Sequence, residues 1–370
     1  MAGGITINQA RDLGIATLKS FEQDMFQITL KHQTYEMLNQ FFKPGKKKTD
    51  SGKYITRDIV LRDSNQAQHV NMYETTTPGV ANTAEEIVVN WTHARVDYSY
   101  SRKEINMNKN NPVRIYNLLE QRRKNAFIDL ANLLEEDAWK TPTSSSDTKS
   151  PHGVPGWIGQ MDNGTTAGSS GFIGYTPNYW TTSNSRYNAG SVACSATENP
   201  RWANYYADHQ GTINETTLDI LDTAFRKTHF KSPMFAKQAI DPKSDFSNFR
   251  MFTTNDVLKE LNKMARKSDD ALGPDLGKYA GSVIFKGVPF VYADFLDTAK
   301  QYVYGSDPIF GVNFNHFYPV ILDGEEFLES EPMTEVGQPD TLTIYVDVSY
   351  GFICDNRRAG GFLVSSFQGT

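Results

Sequence analysis

The residue types that commonly carry out chemistry are scattered along this chain and form no known catalytic or metal-binding motif. Seven histidines and two cysteines are present, and none has the short mutual spacing of metal ligands. Gly273 to Tyr279 lacks the spacing and the Ser or Thr of a phosphate-binding loop. No Gly-x-Ser-x-Gly turn marks a hydrolase nucleophile. We therefore expect no catalytic residue, no cofactor and no metal ion, and a protein that is not an enzyme.

Carboxylates and aromatic side chains are the remaining residues from which a site could be built. Glu135 to Asp137 falls in the last turn of a predicted helix and Glu325-Glu326 in an acidic loop, so both are interpreted as solvated faces. Seven aromatic residues could form a platform for a sugar or a base: Trp157, Tyr175, Tyr179, Trp180, Trp202, Tyr205 and Tyr206. Packing of an irregular lobe explains them equally well. A soluble enzyme or a glycan-binding protein stays an open alternative.

Composition indicates a folded protein without a membrane partner. With 370 residues, 39% apolar and 22% charged, the chain can bury one large core or two smaller ones. The formal charge of -6 argues against a dedicated nucleic-acid-binding protein. Cys194 and Cys354 are expected to be free thiols. Neither a signal peptide nor an apolar stretch of about 18 residues is found, so we expect synthesis in a cytoplasm.

The elements that would position any site begin with a long hairpin. Tyr54 to Arg62 and Glu86 to Tyr100 have the alternation and the β-branched content of strands. Between them, Asp63 to Ala84 is polar and contains the turn signal Pro78-Gly79. At about 3.3 Å per residue the return strand alone would reach roughly 50 Å. Because a two-stranded ribbon is marginal in water, it needs another surface, and we expect that surface on a neighbouring subunit.

A long amphipathic helix follows the hairpin directly. Asn110-Asn111-Pro112 supplies an Asn cap and a Pro at the first helical position, and the pattern runs to about Trp139. Its apolar residues fall near one face, which Arg122 interrupts. At 1.5 Å per residue this helix would be about 40 Å long, enough to act as a spine for the subunit.

The rest of the chain mixes helices and strands without regular alternation, which predicts an α+β fold. An arm with weak helical stripes ends in the basic run Lys43 to Lys48, and an irregular insertion follows the long helix. The later predicted elements are a helix opened by a capping box at Thr212 to Glu215, a strand at Arg250 to Thr253, a helix from Asn255, a tight strand pair at Ser282 to Phe285 and Val288 to Tyr292, and strands at Thr341 to Val348 and Gly361 to Val364.

In this order of elements the chain resembles the tailed-phage major capsid proteins, which have the Hong Kong 97 type fold. The resemblance is carried by Arg57 to Arg102 (the extended hairpin, or E-loop), Pro112 to Lys140 (the spine helix), Phe252 to Val257 and Ile284 to Asp294. It implies an N-terminal arm (residues 1–53), an E-loop (54–103), a peripheral domain with the spine helix (104–150), an irregular aromatic-rich insertion (151–211), an axial domain (212–315), and strands that return to the axial and peripheral domains (316–370).

The resemblance implies a virion protein that is assembled in the host cytoplasm. It would be a major capsid protein, self-assembling into hexamers and pentamers of an icosahedral shell that encloses double-stranded DNA and contacts it non-specifically. Its partners would be copies of itself, a portal protein, and separate scaffolding or decoration proteins. The residues predicted to contact a neighbouring subunit are Arg57, Arg62, Asp63 and Glu74. An encapsulin, a compartment of the same fold that holds protein cargo, is the nearest alternative.

The sequence departs from the family pattern in two places. Some members carry a scaffolding segment before the hairpin, whereas here the hairpin begins near Tyr54, which implies a separate scaffolding protein or none. In other members, a lysine of the hairpin forms an isopeptide bond with an asparagine of a neighbouring subunit and so links the shell covalently. Between Tyr54 and Arg102 the chain has no lysine, and Lys53 and Lys103 only flank the hairpin. We therefore expect a shell held together by noncovalent contacts.

Overall fold

A computed structural model describes residues 35–43, 48–62, 66–75, 79, 83–107, 112–142, 147, 149–159, 168–175, 190, 192, 199–229, 248–272, 283–298 and 305–366. The helices, in chain order, are α1 (Glu36–Phe42), α2 (Arg102–Met107), α3 (Pro112–Asp137), α4 (Val154–Trp157), α5 (Glu215–Thr228), α6 (Asn255–Leu272), α7 (Asp294–Thr298) and α8 (Arg357–Gly360). None of these helices combines the length and the apolarity that crossing a bilayer requires.

The strands pair into two larger sheets and one ribbon, which confirms the α+β class. In chain order they are β1 (Lys48–Asp50), β2 (Ile55–Val60), β3 (Ala84–Val89), β4 (Thr92–Ser101), β5 (Ser170–Gly174), β6 (Asn204–Asp208), β7 (Phe249–Thr253), β8 (Ile284–Phe285), β9 (Val288–Tyr292), β10 (Ser306–Asn313), β11 (Phe317–Leu322), β12 (Leu328–Glu329), β13 (Met333–Glu335), β14 (Gln338–Cys354) and β15 (Gly361–Ser366). The chain folds as two compact units.

The spine unit comprises the described parts of residues 1–53, 91–138 and 319–351. Its sheet has the order β1-β11-β14-β12, and β4 and β13 also pair with β14. β4 runs antiparallel to β14 from Thr92↔Tyr350 to Ser101↔Thr341. The buried residues of α3 recur at helical spacing, so α3 buries one face against β4. They include Leu119, Ala126, Leu130 and Leu134.

The lobe unit comprises the described parts of residues 54–90, 139–318 and 352–370. Its sheet has the order β5-β6-β15-β10-β7-β9-β8. The core of this unit is aromatic, with Phe225, Phe249 and Phe362 at most 2% exposed and their ring centroids 5.1 to 5.8 Å apart. In the same unit β2 and β3 form a separate two-stranded ribbon.

Several predicted elements are confirmed. α3 covers the predicted spine helix, and α6 begins at Asn255 as expected. β8 and β9 form the predicted tight pair, and Lys286 and Gly287 both adopt positive φ angles, 50° and 81°, as a two-residue primed turn requires. The six-part division of the chain, from residues 1–53 to 316–370, stays a prediction, because the two compact units divide the chain differently.

The predicted continuous strand from Glu86 to Tyr100 is wrong. It is divided into β3 and β4, and only β3 pairs with β2. The break falls at Asn90 and Trp91, where the indole N–H of Trp91 donates to the carbonyl oxygen of Gly52 at 3.0 Å. Strand periodicity does not identify a pairing partner, and β4 pairs with the distant β14 instead. The ribbon is therefore much shorter than the sequence suggested.

The predicted capping box at Thr212 to Glu215 is shifted by two residues. Asn214 is the N-cap of α5, and its side-chain oxygen accepts from the backbone N–H of Thr217 at 3.2 Å. The Thr217 hydroxyl accepts from the backbone N–H of Asn214 at 3.2 Å. Asn is as good a cap as Thr, so the two registers were hard to separate from the sequence.

Candidate assembly surface

The β2–β3 ribbon has a buried base and an exposed tip. β2 runs antiparallel to β3 from Ile55↔Val89 to Val60↔Ala84. Ile55 and Ile87 at the base are 0% exposed, and a Cβ added to the left-handed Gly190 would collide with Ile87 and Trp157. By contrast, residues 66–75 are exposed throughout. The base is thus part of the packed lobe unit, whereas the tip is available to a partner.

Arg62, one of the four predicted contact residues, fixes the end of the ribbon to its own chain. Its Nε and Nη2 atoms lie 3.2 and 3.0 Å from Oδ1 of Asn199, which is 2% exposed. Nη2 also donates to Oε1 of Glu85 at 3.1 Å. The Arg62 side chain is nevertheless 47% exposed. Its role in contact with a neighbouring subunit stays a prediction.

Arg57 is half-buried on β2. Its Nη1 donates to the carbonyl oxygen of Thr56 at 2.6 Å, and its guanidinium also contacts the Tyr318 hydroxyl. Tyr318 in turn donates to Oδ1 of Asp355 at 2.6 Å. Burial, followed by the Asp355 charge, raises the pKa of Tyr318, so this tyrosine stays neutral as a hydrogen-bond donor. The Arg57 side chain therefore helps to hold β2 on the lobe unit.

Of the other two predicted contact residues, only Glu74 is among those that the structure describes. Asp63 lies outside the described residues. Glu74 is exposed, and its Oε2 accepts from the backbone N–H of Asn71 at 2.8 Å while its own N–H donates to the Asn71 carbonyl oxygen at 3.1 Å. Glu74 thus closes a turn that presents Met72 and Tyr73, which are 84% and 96% exposed.

A fully buried arginine organises the irregular insertion, and the sequence analysis did not identify it. Arg357 is 0% exposed. Its guanidinium donates to five acceptors on chain segments distant in sequence. These are the carbonyl oxygens of Trp157 (2.7 Å), Trp202 (2.5 Å), Gly174 (3.0 Å) and Tyr175 (3.0 Å), and Oδ1 of Asn204 (3.1 Å). An arginine between two apolar strands, as in residues 350–364, is the signal that could have revealed it.

Two ion pairs attach α3 to its surroundings in the spine unit. Arg123, 7% exposed, binds both carboxylate oxygens of Glu329 on β12, at 2.6 and 2.9 Å. Arg122, which interrupts the apolar face in the sequence, binds both oxygens of Glu104 at 2.9 and 2.8 Å. The Arg122 hydrogen bonds lower the pKa of Glu104. Bidentate pairs of this kind fix the orientation of a helix, and they explain the polar interruption.

The carboxylate clusters have structural roles. Glu135 accepts from the backbone N–H of Leu38 at 2.9 Å and so holds α1 against α3. The interpretation of residues 135–137 as a solvated face is wrong for Asp137, which is 8% exposed and accepts from the Tyr350 hydroxyl at 2.6 Å. In the described part of the chain, no group of three or more His, Cys, Asp or Glu side chains could hold a metal ion.

One serine, one histidine and one glutamate do lie together, but in the wrong order for hydrolysis. Nδ1 of His93 is 2.7 Å from Oγ of Ser349, and that hydroxyl donates to Glu325. In a catalytic triad the histidine lies between the nucleophile and the acid, so that it can take the proton. Here the serine occupies the middle position and its hydroxyl proton points to the carboxylate. The cluster instead fastens β14 to the loop that carries Glu325.

Comparisons with known proteins identify the fold. No protein-family model matches the chain, and no curated protein sequence matches it. A chain of the cyanophage A-1(L) capsid matches with a TM-score of 0.56 and 12% identity, covering 90% of this chain and 93% of that chain. The capsid of Myoviridae phage XM1 matches with a TM-score of 0.49 and 11% identity, covering 94% and 100%. The cyanophage match shows that this chain has the fold of a phage capsid protein, which confirms the prediction from element order.

Proposed function

We propose that the chain is the major capsid protein of a tailed-phage-like virus, a structural subunit without enzymatic activity. Copies of it would form the hexamers and pentamers of an icosahedral shell around double-stranded DNA. The observation that carries the proposal is the cyanophage capsid match, which covers 90% of this chain and 93% of the other. A likeness over almost the full length of both chains supports a common role for the whole chain, as distinct from one shared segment.

The β2–β3 ribbon and its tip support self-assembly on physical grounds. An isolated two-stranded ribbon is marginally stable in water, and this one continues into a tip whose described residues are exposed. A contact repeated from one copy to the next would cover that tip. It would close into a ring where the rotation from one copy to the next divides a full turn. The charge of -6 also suits a shell wall, since a strongly basic wall would hold the packaged DNA tightly.

In this role the subunit would reside in the virion after assembly in the host cytoplasm. Its partners would be further copies of itself, a portal protein, the packaged DNA, and any separate scaffolding or decoration protein. Contacts through Arg57, Arg62, Asp63 and Glu74 belong to this proposal.

Particle formation tests the proposal. The chain expressed alone and purified is expected to elute as megadalton particles in size-exclusion chromatography, with closed shells visible in negative-stain micrographs. A stable monomer that turns over a substrate or retains a sugar would refute it. Particles recovered from infected cells should contain nuclease-protected double-stranded DNA, whereas a protein cargo would identify an encapsulin instead.

The type of bond between subunits gives a second test. Shells boiled in denaturant should run as monomers on a gel, because the hairpin between Tyr54 and Arg102 has no lysine for an isopeptide bond. Covalent ladders under reducing conditions would contradict the noncovalent shell.

A further inference from the structure

One arginine of the lobe unit carries a positive charge that its own chain does not pair. Arg358 is partly buried on α8, and its Nε atom is buried without a hydrogen-bond acceptor in the part of the chain that the structure describes. Its two Nη atoms are not buried, and they too have no acceptor among the described residues. No described carboxylate forms an ion pair with this side chain. An arginine in such a setting has donors to spare for a ligand.

The orientation of the Arg358 guanidinium is fixed by its neighbours. Its Cζ atom lies over the ring of Phe172, 4.2 Å from the ring centroid. The Phe172 ring is itself held edge-to-face against buried Tyr205, with the two centroids 5.7 Å apart. The backbone N–H of Arg358 donates to Oδ1 of Asn356 at 3.1 Å. A guanidinium over an aromatic face keeps its donors in its own plane, so the Nη edge is presented to solvent in a set direction.

A second arginine adds to the positive charge at this place. Burial lowers the pKa of Arg358, and the positive charge of the exposed Arg201 lowers it further, while Tyr175 acts in the opposite direction. The guanidinium stays protonated at neutral pH all the same, so it cannot escape the repulsion by losing a proton. Two neighbouring like charges, one of them partly removed from water, are unfavourable, and an anion between them would offset that cost.

We propose that Arg358 and Arg201 together bind one phosphate group. Arginine donors match the oxygens of a phosphate, and the four oxygens of a phosphate can accept from both side chains at once. A phosphate monoester carries about 1.5 to 2 negative charges at pH 7, which balance two guanidinium groups, whereas a carboxylate carries only one. This site goes beyond the proposed function and does not depend on it, because a single chain supplies all of its residues.

Calorimetric titration of the full chain with inorganic phosphate, at constant ionic strength, tests the site. The parent chain should show saturable binding at one site per chain. Arg358→Met keeps an unbranched side chain over Phe172 but removes the charge, so its affinity should fall about tenfold or more. Arg201→Met changes an exposed position, which leaves the fold intact, and should also weaken binding. Arg95→Met is the matched control and should bind like the parent, because Arg95 is exposed and paired with Asp347.

Melting temperatures separate a binding role from a structural one. In phosphate-free buffer Arg358→Met should melt at the parent's temperature or above it, because it removes an unpaired and partly buried charge. Added phosphate should raise the melting temperature of the parent but not that of Arg358→Met. No saturable binding by the parent, or parent-like binding by both methionine variants, would overturn the proposal. If Arg358→Met fails to fold, Arg201→Met decides in the same way.

Competition identifies the source of the phosphate group. Double-stranded DNA without terminal phosphates should displace inorganic phosphate from the parent chain if phosphodiesters of DNA occupy the site. DNA that fails to compete assigns the site to free phosphate or to terminal phosphate esters. Acetate that binds more tightly than phosphate would assign the site to a carboxylate and would overturn the proposal. Unassembled chains suffice for all of these measurements, so their failure would leave the proposal of a capsid subunit untouched.

Discussion

Replacing Arg357 should destabilise the lobe unit severely. This one side chain ties three other chain segments, at residues 157, 174–175 and 202–204, to its own. The five acceptors described above are backbone carbonyls and one amide, all neutral, and Asn204 is itself 0% exposed. The guanidinium also lies 5.7 Å from the centroid of the Trp202 ring. Nε and Nη1 each donate to one of these acceptors and Nη2 is shared among three, a planar spread of donors that no other side chain offers.

The size of the effect follows from the donors that each substitution leaves. Arg357→Met supplies none. Oδ1 of Asn204 keeps the hydrogen bond from the Gly159 N–H, so four buried carbonyl oxygens lose this donor. At about 1 kcal/mol each, the low end for such groups, the loss is roughly 4 kcal/mol. That is comparable to the whole stability of a small domain, about 5–15 kcal/mol. Arg357→Lys supplies three donors and leaves at least one of these carbonyl oxygens without a donor, which costs about 1 kcal/mol or more.

Equilibrium unfolding in urea, followed by tryptophan fluorescence on unassembled subunits, would measure these losses. Arg357→Lys should lower the midpoint, and Arg357→Met should prevent recovery of folded protein. Arg95→Met is the matched control, because Arg95 forms a bidentate pair with Asp347 at 2.6 and 2.8 Å but is exposed, so its loss should leave the midpoint unchanged. If Arg357→Lys were as stable as the parent, the guanidinium fork would not be what holds the insertion in place.

Three further perturbations have defined outcomes. Burial lowers the pKa of His152 from 6.5 to about 4, so the folded state keeps this histidine neutral. The free energy of unfolding should therefore be highest above pH 6.5 and should fall by up to about 3 kcal/mol as the pH drops towards 4. Urea unfolding as a function of pH should find a smaller loss in His152→Gln. Burial raises the pKa of Cys354 to about 12, so in a Cys194→Ser background iodoacetamide should label this thiol only after unfolding; mass spectrometry showing native labelling would contradict this. A Cβ at Gly311 would overlap the Phe362 ring, so Gly311→Ala should cost roughly 1–3 kcal/mol in thermal unfolding, and Phe362→Leu should restore part of it.

Local signals predicted the elements whose structure depends on neighbours in sequence. The Pro at the start of α3 and its apolar spacing were sufficient for a helix of 26 residues. The β8–β9 turn was equally readable, because Lys286-Gly287 suits positive φ angles. In both cases the determining contacts lie within a few residues of one another.

The elements that depend on distant partners could not be predicted. β10 and β11 are buried on both faces, so they lack the alternation that distinguishes a strand in sequence. β1 was interpreted only as part of a basic run, yet it pairs in parallel with β11 from Lys48↔Val320 to Asp50↔Leu322. The acceptors of Arg357 lie at or next to the ends of α4, β5 and β6, short elements far apart in sequence whose meeting point no sequence pattern defines.

The predicted charged contact residues and the apolar residues at the tip of the ribbon differ in how much free energy they can contribute to assembly. Arg62 already forms a partly exposed pair with Glu85, and such pairs are worth only about 0–1 kcal/mol. Met72 and Tyr73 have most of their surface still to bury, at about 25 cal/mol per Å² of apolar area. We therefore expect Met72 and Tyr73 to contribute more to the affinity between copies than Arg62 does. Arg57 and Arg62 would instead hold the ribbon on its own lobe unit, through Tyr318 and Asn199 respectively.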